Sequence, residues 1–245
     1  MVATAMFEAG GYHYIRHAFQ YSGGVKALPG FTIERARFTK PLPLAEGFKA
    51  VEAHLEALGR PFTSFCACEL RSPVQFTEQG FIDFNRHYVQ TLERWGIFKD
   101  EENPVARSNV CPRTDPPSEP SFEAFCYTVP GDAAKPSFVI AGAGEARDES
   151  GRIIALNDTS AEGMARKARS VLGAMEERME ALGLNWRQAD VTQIYTLFDI
   201  HSFLADEIVQ RGAAEHGVVW YYAQPPIEGL EYEMDVRAVP VERVL

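Results

Sequence analysis

Apolar residues recur at helical spacing in two stretches of the first half of the chain. Leu44, Phe48, Val51, Leu55 and Leu58 line one side of a helix that Gly59 stops, and Phe84, Tyr88, Val89 and Leu92 line one side of a second helix within Phe76–Trp95. Shorter apolar runs predict strands at Ala18–Val25, which ends in a glycine turn, at Phe31–Phe38, at Phe62–Leu70 and at Ser121–Val129. Lys40-Pro41-Leu42-Pro43 blocks helix ahead of Leu44. The residues up to about Arg16 are too irregular to assign.

Pro130–Pro136 has the composition of a linker, and beyond it the order of elements restarts. Phe138–Gly144 repeats the strand-to-glycine event of Phe19–Gly24. Ser160-Ala161-Glu162-Gly163-Met164 echoes Leu44-Ala45-Glu46-Gly47-Phe48, and Glu180-Ala181-Leu182-Gly183 repeats Glu56-Ala57-Leu58-Gly59 letter for letter. From Ser160 to Gly183 is eight residues longer than from Leu44 to Gly59. That insertion adds about two helical turns and keeps the apolar face nearly in phase. Ala189–Leu197 then reads as a strand, Asp199–Arg211 as a helix, Val218–Tyr222 as a strand, Pro225-Pro226 as a turn and Leu230–Val239 as the last strand. Each half reads β-β-α-β-α-β-β. The expectation is an α+β chain of two tandem domains, 1–130 and 137–245 joined by 131–136, with mixed sheets carrying helices on one face.

Composition narrows the function. With 24 basic and 34 acidic residues the net charge is −10, which disfavours a nucleic-acid partner. No apolar run of about 18 residues occurs and the start, Met1–Glu8, has no basic region, so a soluble, cytoplasmic protein without membrane contact is expected. The four cysteines, at 66, 68, 111 and 126, fit neither a Cys-x-x-Cys redox pair nor a four-ligand zinc site, and reduced thiols with no metal or organic cofactor are expected. Gly142-x-Gly144 lacks the remaining glycine and helix start of a dinucleotide site.

The chemistry concentrates at Asn103–Cys111, where Arg107 stands among small residues at the start of a strand. A guanidinium matches both oxygens of a carboxylate, and hydrogen bonds to a charged group contribute about 1.5–3 kcal/mol each when water is kept out. The alternative is a surface arginine. Glu231 and Glu233 alternate with Leu230, Tyr232 and Met234, which also suits the polar face of a half-solvated strand. Trp220-Tyr221-Tyr222 reads as core or interface packing.

Several features in one order resemble the reactive intermediate deaminase, or YjgF-like, family: the Ser-Gly or Ala-Gly pair after the first strand, the Glu-Ala-Leu-Gly helix end, the Asp83-Phe84-Asn85-Arg86-His87-Tyr88 helix start, the Pro-x-Ala-Arg-Ser stretch and a closing strand with glutamate. The resemblance covers nearly the whole chain as two tandem copies. It implies chorismate-mutase-like, YjgF-like domains, trimeric assembly and pockets between adjacent subunits. It also implies that Arg107 grips a substrate carboxylate, with Ser22, Gly23, Ser108, Asn109 and Gly142 lining the site and Ala141 beside it. The glutamate that moves a proton maps to Glu123 in the first copy and Glu231 in the second. The family's site cysteine position holds Asn109 here, and the second copy has His216 where the arginine would stand. Two arrangements stay open: a composite site in which Arg107 faces residues of the other copy, Glu231 among them, or a second copy that only completes the ring. The implied activity is hydrolysis of a small carboxylate-bearing enamine or imine, such as a 2-aminoacrylate or, in aromatic catabolism, a 2-aminomuconate, with release of ammonia. Two alternatives stay open: a chorismatase-like or ring-opening hydrolase on the duplicated scaffold, and a non-catalytic protein that binds a small anionic metabolite.

Overall fold

A computed structural model describes residues 2–132, 134–148 and 150–245, so position 133 of the expected linker lies outside the described residues. The helices follow the apolar spacing. The first, α1 (Leu44–Ala57), buries Leu44, Phe48, Val51 and Leu55, and Gly59 beyond it takes the left-handed conformation that a helix stop requires. The second, α2 (Glu78–Arg94), begins at Thr77, whose side chain accepts from the Gly80 amide at 3.1 Å. The third, α3 (Ala161–Ala181), is capped the same way by Ser160.

The strands form two mixed sheets. β1 (Thr4–Phe7), β2 (Tyr12–Ile15), β3 (Gly24–Ala27), β8 (Phe138–Gly144), β12 (Tyr232–Ala238), β9 (Val191–Thr196) and β10 (Val219–Tyr221) make a seven-stranded sheet in that order. β11 (Ala223–Gln224), β6 (Ala106–Pro112), β5 (Phe65–Arg71), β7 (Ser121–Pro130), β4 (Phe31–Pro43) and β13 (Val241–Val244) make a six-stranded one. The helix α3 covers the outer face of the first sheet over Ile140, Met234 and Val236, and α1 and α2 cover the second over Leu70, Phe122 and Phe125. The two inner faces pack on each other through Val25 and Ala141 on one side and Cys66, Ala106 and Cys126 on the other. Among the described residues no helix is long and apolar enough to cross a membrane.

The sheets exchange strands between the halves of the chain. β1, β2 and β3 precede the linker yet join the sheet built from the second half, and β11 and β13 follow it yet join the sheet of the first. A cut at residues 131–136 would separate helices but not sheets. Four local expectations change as well. The residues left unassigned form β1 and β2, with Tyr12 and Tyr14 buried. The first predicted strand is displaced to Gly24–Ala27, because Ala18–Gly23 is held as a loop by the Ser22 amide donating to the Val105 carbonyl at 2.8 Å. Only one strand, β8, precedes the second-half helix, so the β-β-α order fails there. The helix expected at Asp199–Arg211 is a single turn, α4 (His201–Phe203), that continues as a π-helical turn over Leu204–Val209.

Candidate active site

Arg107 is the second residue of β6 and is 2% exposed. It turns toward α2, whose Phe81, Phe84 and Tyr88 recur on one helix face and meet the guanidinium at 5.6, 5.7 and 4.8 Å from their ring centroids. Tyr21, from the loop before β3, adds a fourth ring at 5.2 Å. Aromatic faces stabilise a desolvated cation by about 2 kcal/mol or more but supply no acceptor in the plane of the guanidinium. Both terminal nitrogens, Nη1 and Nη2, lack a hydrogen-bond partner among the described residues. Asn109, two residues along the same face, receives the Ser72 hydroxyl on Oδ1 at 3.0 Å while its buried Nδ2 is unpartnered. Three buried donors are thus left to one anion.

Those donors line a cavity of ≈ 50 Å³ whose opposite wall comes from the second half: Gly142 and Gly144 of β8, and Glu233 of β12. Pro226, Ile227 and Leu230 close its top. That loop is fixed by Gln75, whose Nε2 lies 3.0 Å from each of the Pro225, Ile227 and Leu230 carbonyls. Tyr21, Phe81, Ile227 and Leu230 also line an outer cavity of ≈ 350 Å³, so the inner space is the end of a longer recess.

Glu233 is 4% exposed and makes no hydrogen bond or ion pair among the described residues. Burial, and then the neighbouring Asp235 carboxyl, push its pKa well above the ordinary carboxylate value, against the pull of Arg178 and Arg71. Both influences favour its protonated form. Room for it exists because position 142 is glycine: a Cβ there would overlap Glu233 Oε1. Behind Gly142, Arg178 of α3 donates to the Ala141 and Gly142 carbonyls at 2.8 and 3.2 Å and holds this end of β8.

The candidate residues from the sequence divide accordingly. Arg107, Asn109 and Gly142 line the cavity. Ser108 is buried on the inner face of β6, with its Cβ close to Gly142. Ser22 and Gly23 bracket the site from below. The Ser22 amide is bonded to the strand leading into Arg107, and the Gly23 carbonyl accepts from the Ala141 amide at 3.1 Å. Glu123 lies on β7, away from the cavity, in the field of Arg71. Glu231 precedes β12 and points instead at Lys167, 2.8 Å from its Nζ. Lys167 also meets Glu145 at 3.4 Å, and Glu145 accepts from the Glu231 and Tyr232 amides. The glutamate brought to Arg107 is Glu233. The alternation of residues 231 and 233 put both on one face, and only the point at which the strand begins tells them apart.

A buried cation with free donors thus faces, across one cavity, a buried carboxyl whose surroundings favour its proton. Residues 4–243 match the family described as 2-aminomuconate deaminase CnbZ, and the chain belongs to that family. It is 55% identical to a 2-amino-5-chloromuconate deaminase of Comamonas testosteroni over 251 residues, spanning 100% of both chains. A solved chorismatase structure superposes with a TM-score of 0.49 at 11% identity, covering 97% of this chain and 80% of that one, a likeness too distant to bear on the chemistry.

Proposed function

We propose that the chain hydrolyses 2-aminomuconate, or a chlorinated form of it, to the corresponding 2-oxo acid and ammonia, with Arg107 as anion anchor and Glu233 as the group that moves protons. Family membership over residues 4–243 supports the reaction, and the cavity supports the roles. The observation that carries them is the pairing, in one recess, of an aromatic-caged guanidinium with free terminal nitrogens and a buried Glu233 whose surroundings favour its protonated form.

2-Aminomuconate is a conjugated enamine with a carboxylate at each end and the amino group beside one of them. The inner cavity of ≈ 50 Å³ takes the amino-bearing end, with its carboxylate on Arg107, and the rest of the molecule extends into the outer ≈ 350 Å³. An enamine is electron-rich at carbon, so the first step needs an acid. Glu233 gives its proton to a carbon of the conjugated chain, and the C–N unit becomes an iminium. Glu233, now a carboxylate, takes a proton from a water that adds to the iminium carbon. It returns that proton to the nitrogen of the resulting carbinolamine, the C–N bond breaks, and loss of the hydroxyl proton restores Glu233 as acid while the carbonyl forms. Substrate and water become oxo acid and ammonia, and the enzyme ends in its starting state. General acid–base catalysis of this kind contributes about 10²–10⁴ in rate.

The test is ammonia release from 2-aminomuconate. Arg107→Ala is expected to lower kcat/KM at least about a hundredfold, and Glu233→Gln to lower kcat by about 10²–10⁴. Wild-type turnover in either variant would remove that residue from the mechanism.

A further inference from the structure

β12 presents three charged side chains in a row to the opposite sheet. Tyr232, Met234 and Val236 pack under α3, so Glu233, Asp235 and Arg237 face inward. Asp235 is 4% exposed, and both its oxygens are held. Its Oδ2 accepts from the Tyr195 hydroxyl at 2.8 Å and its Oδ1 from Gln193 Nε2 at 2.8 Å. Glu233 has no comparable donor. Two carboxyls on one face of a strand, both out of water, hold a single negative charge between them far more easily than two. Burial and the Glu69 carboxylate push the Asp235 pKa up, but Arg237 and the two donors, Tyr195 and Gln193, favour its charged form, and Glu233 has no such donors.

We propose that Asp235 is a positioning residue for the deamination: anchored by Tyr195 and Gln193, it carries the negative charge of the pair and so keeps Glu233 supplied with its proton. This rests on the role of Glu233 given above. The other groups facing Glu233 do not replace Asp235 in this. Arg178 from α3, Arg71 from β5 and Arg107 across the cavity are cations that favour ionised Glu233, Glu145 lies beyond the end of β8, and Cys111 of β6 is a thiol whose pKa burial pushes up. The direction of the shift at Glu233, with Asp235 second only to burial among its causes, agrees with the geometry.

Asp235→Asn keeps the shape and removes the charge. The high-pH limb of the kcat/KM profile, where Glu233 loses its proton, is expected to move down by about one pH unit or more, with KM at low pH within about twofold of wild type. A uniform loss of activity at every pH, or an unmoved limb, would overturn the proposal. Tyr195→Phe leaves Asp235 in place and removes one of its two donors, and is expected to give a smaller shift in the same direction; no shift there would also count against it. A readout independent of turnover is the infrared band of the protonated Glu233 carboxyl, identified by its loss in Glu233→Gln. The band should titrate at lower pH in Asp235→Asn than in wild type, and an identical titration in the two would defeat the inference. If Glu233→Gln deaminates normally while the band still shifts, the catalytic reading fails and the Asp235–Glu233 coupling stands.

Discussion

Gly142 and Glu233 sit on neighbouring strands so close together that a Cβ on the glycine would overlap Oε1 of the glutamate and come within 3.1 Å of its Cδ. Ser108 Cβ, 3.0 Å away on the other side, closes the remaining escape. Gly142→Ala should therefore leave the fold intact and turn Glu233 out of line. A misplacement of about 1 Å at a reacting group costs on the order of 10²-fold. The expected result is a fall in kcat of that order with an unchanged circular dichroism spectrum; a fully active alanine variant would mean that Glu233 has slack the structure does not show.

Arg107 offers a planar fork, and four rings surround it at 4.8, 5.2, 5.6 and 5.7 Å. Arg107→Lys keeps the charge but loses the second donor direction and the stacking. KM for 2-aminomuconate should rise at least about tenfold, in line with the loss of one charge-assisted hydrogen bond. Steady-state kinetics decide it: an unchanged KM would show that charge alone holds the substrate.

Much of this arrangement was legible in the chain. The spacing of Leu44, Phe48, Val51 and Leu55 gave α1, Ser160 to Gly183 gave α3, and Arg107 emerged at the start of a strand as read. What escaped is non-local. β13 is an exposed, polar edge strand that exists because Val241–Val244 runs parallel to Glu34–Arg37, and no periodicity announces such pairing. Phe84 and Tyr88 read correctly as one face of a helix, but their second use, as a cage for a guanidinium, depends on where β6 passes. The exchange of strands between the two sheets likewise follows from packing the inner faces together, which a repeat seen in one dimension does not specify.

Gln75 joins the halves above the site by reaching the carbonyls of Pro225, Ile227 and Leu230. Hydrogen bonds of this kind contribute about 0.5–1.5 kcal/mol each. Gln75→Leu should free the 225–230 loop, raise KM several-fold and speed amide exchange there, with little change elsewhere. Exchange mass spectrometry checks this directly, and equal protection of the loop in both proteins would show that Phe76, bonded to Pro226 and Glu228 through its backbone, suffices.

Lys167 is 0% exposed and is the cation that Glu145 and Glu231 share. Removing one partner of a buried ion pair costs about 3–5 kcal/mol, because the remaining charge stays out of water. Lys167→Met should destabilise the protein by about that much in urea denaturation, and adding Glu145→Gln should restore part of the loss. A single variant as stable as wild type would show that water reaches the two carboxylates.

Between the sheets, Glu69 of β5 meets Arg35 at 2.7 Å, Arg71 at 3.5 Å and Arg237 of the opposite sheet at 3.7 Å. Burial alone would raise the pKa of Glu69, but Arg35, then Arg237 and Arg71, hold it well below the usual carboxylate range. A depressed folded-state pKa gives stability that is fully present above the unfolded value, about 4.3, and lost as pH falls through the folded one. Glu69→Gln should therefore be less stable than wild type by about 3–5 kcal/mol at neutral pH, since three arginines lose their shared counter-charge. The gap should hold down to about pH 5 and close only in stronger acid, where wild-type Glu69 gains its proton. Urea denaturation of both proteins across that range measures it. A gap that stays constant from pH 7 down through strong acid would mean that Glu69 has the same pKa folded and unfolded, as an exposed carboxyl does, and that the three arginines do not hold it ionised.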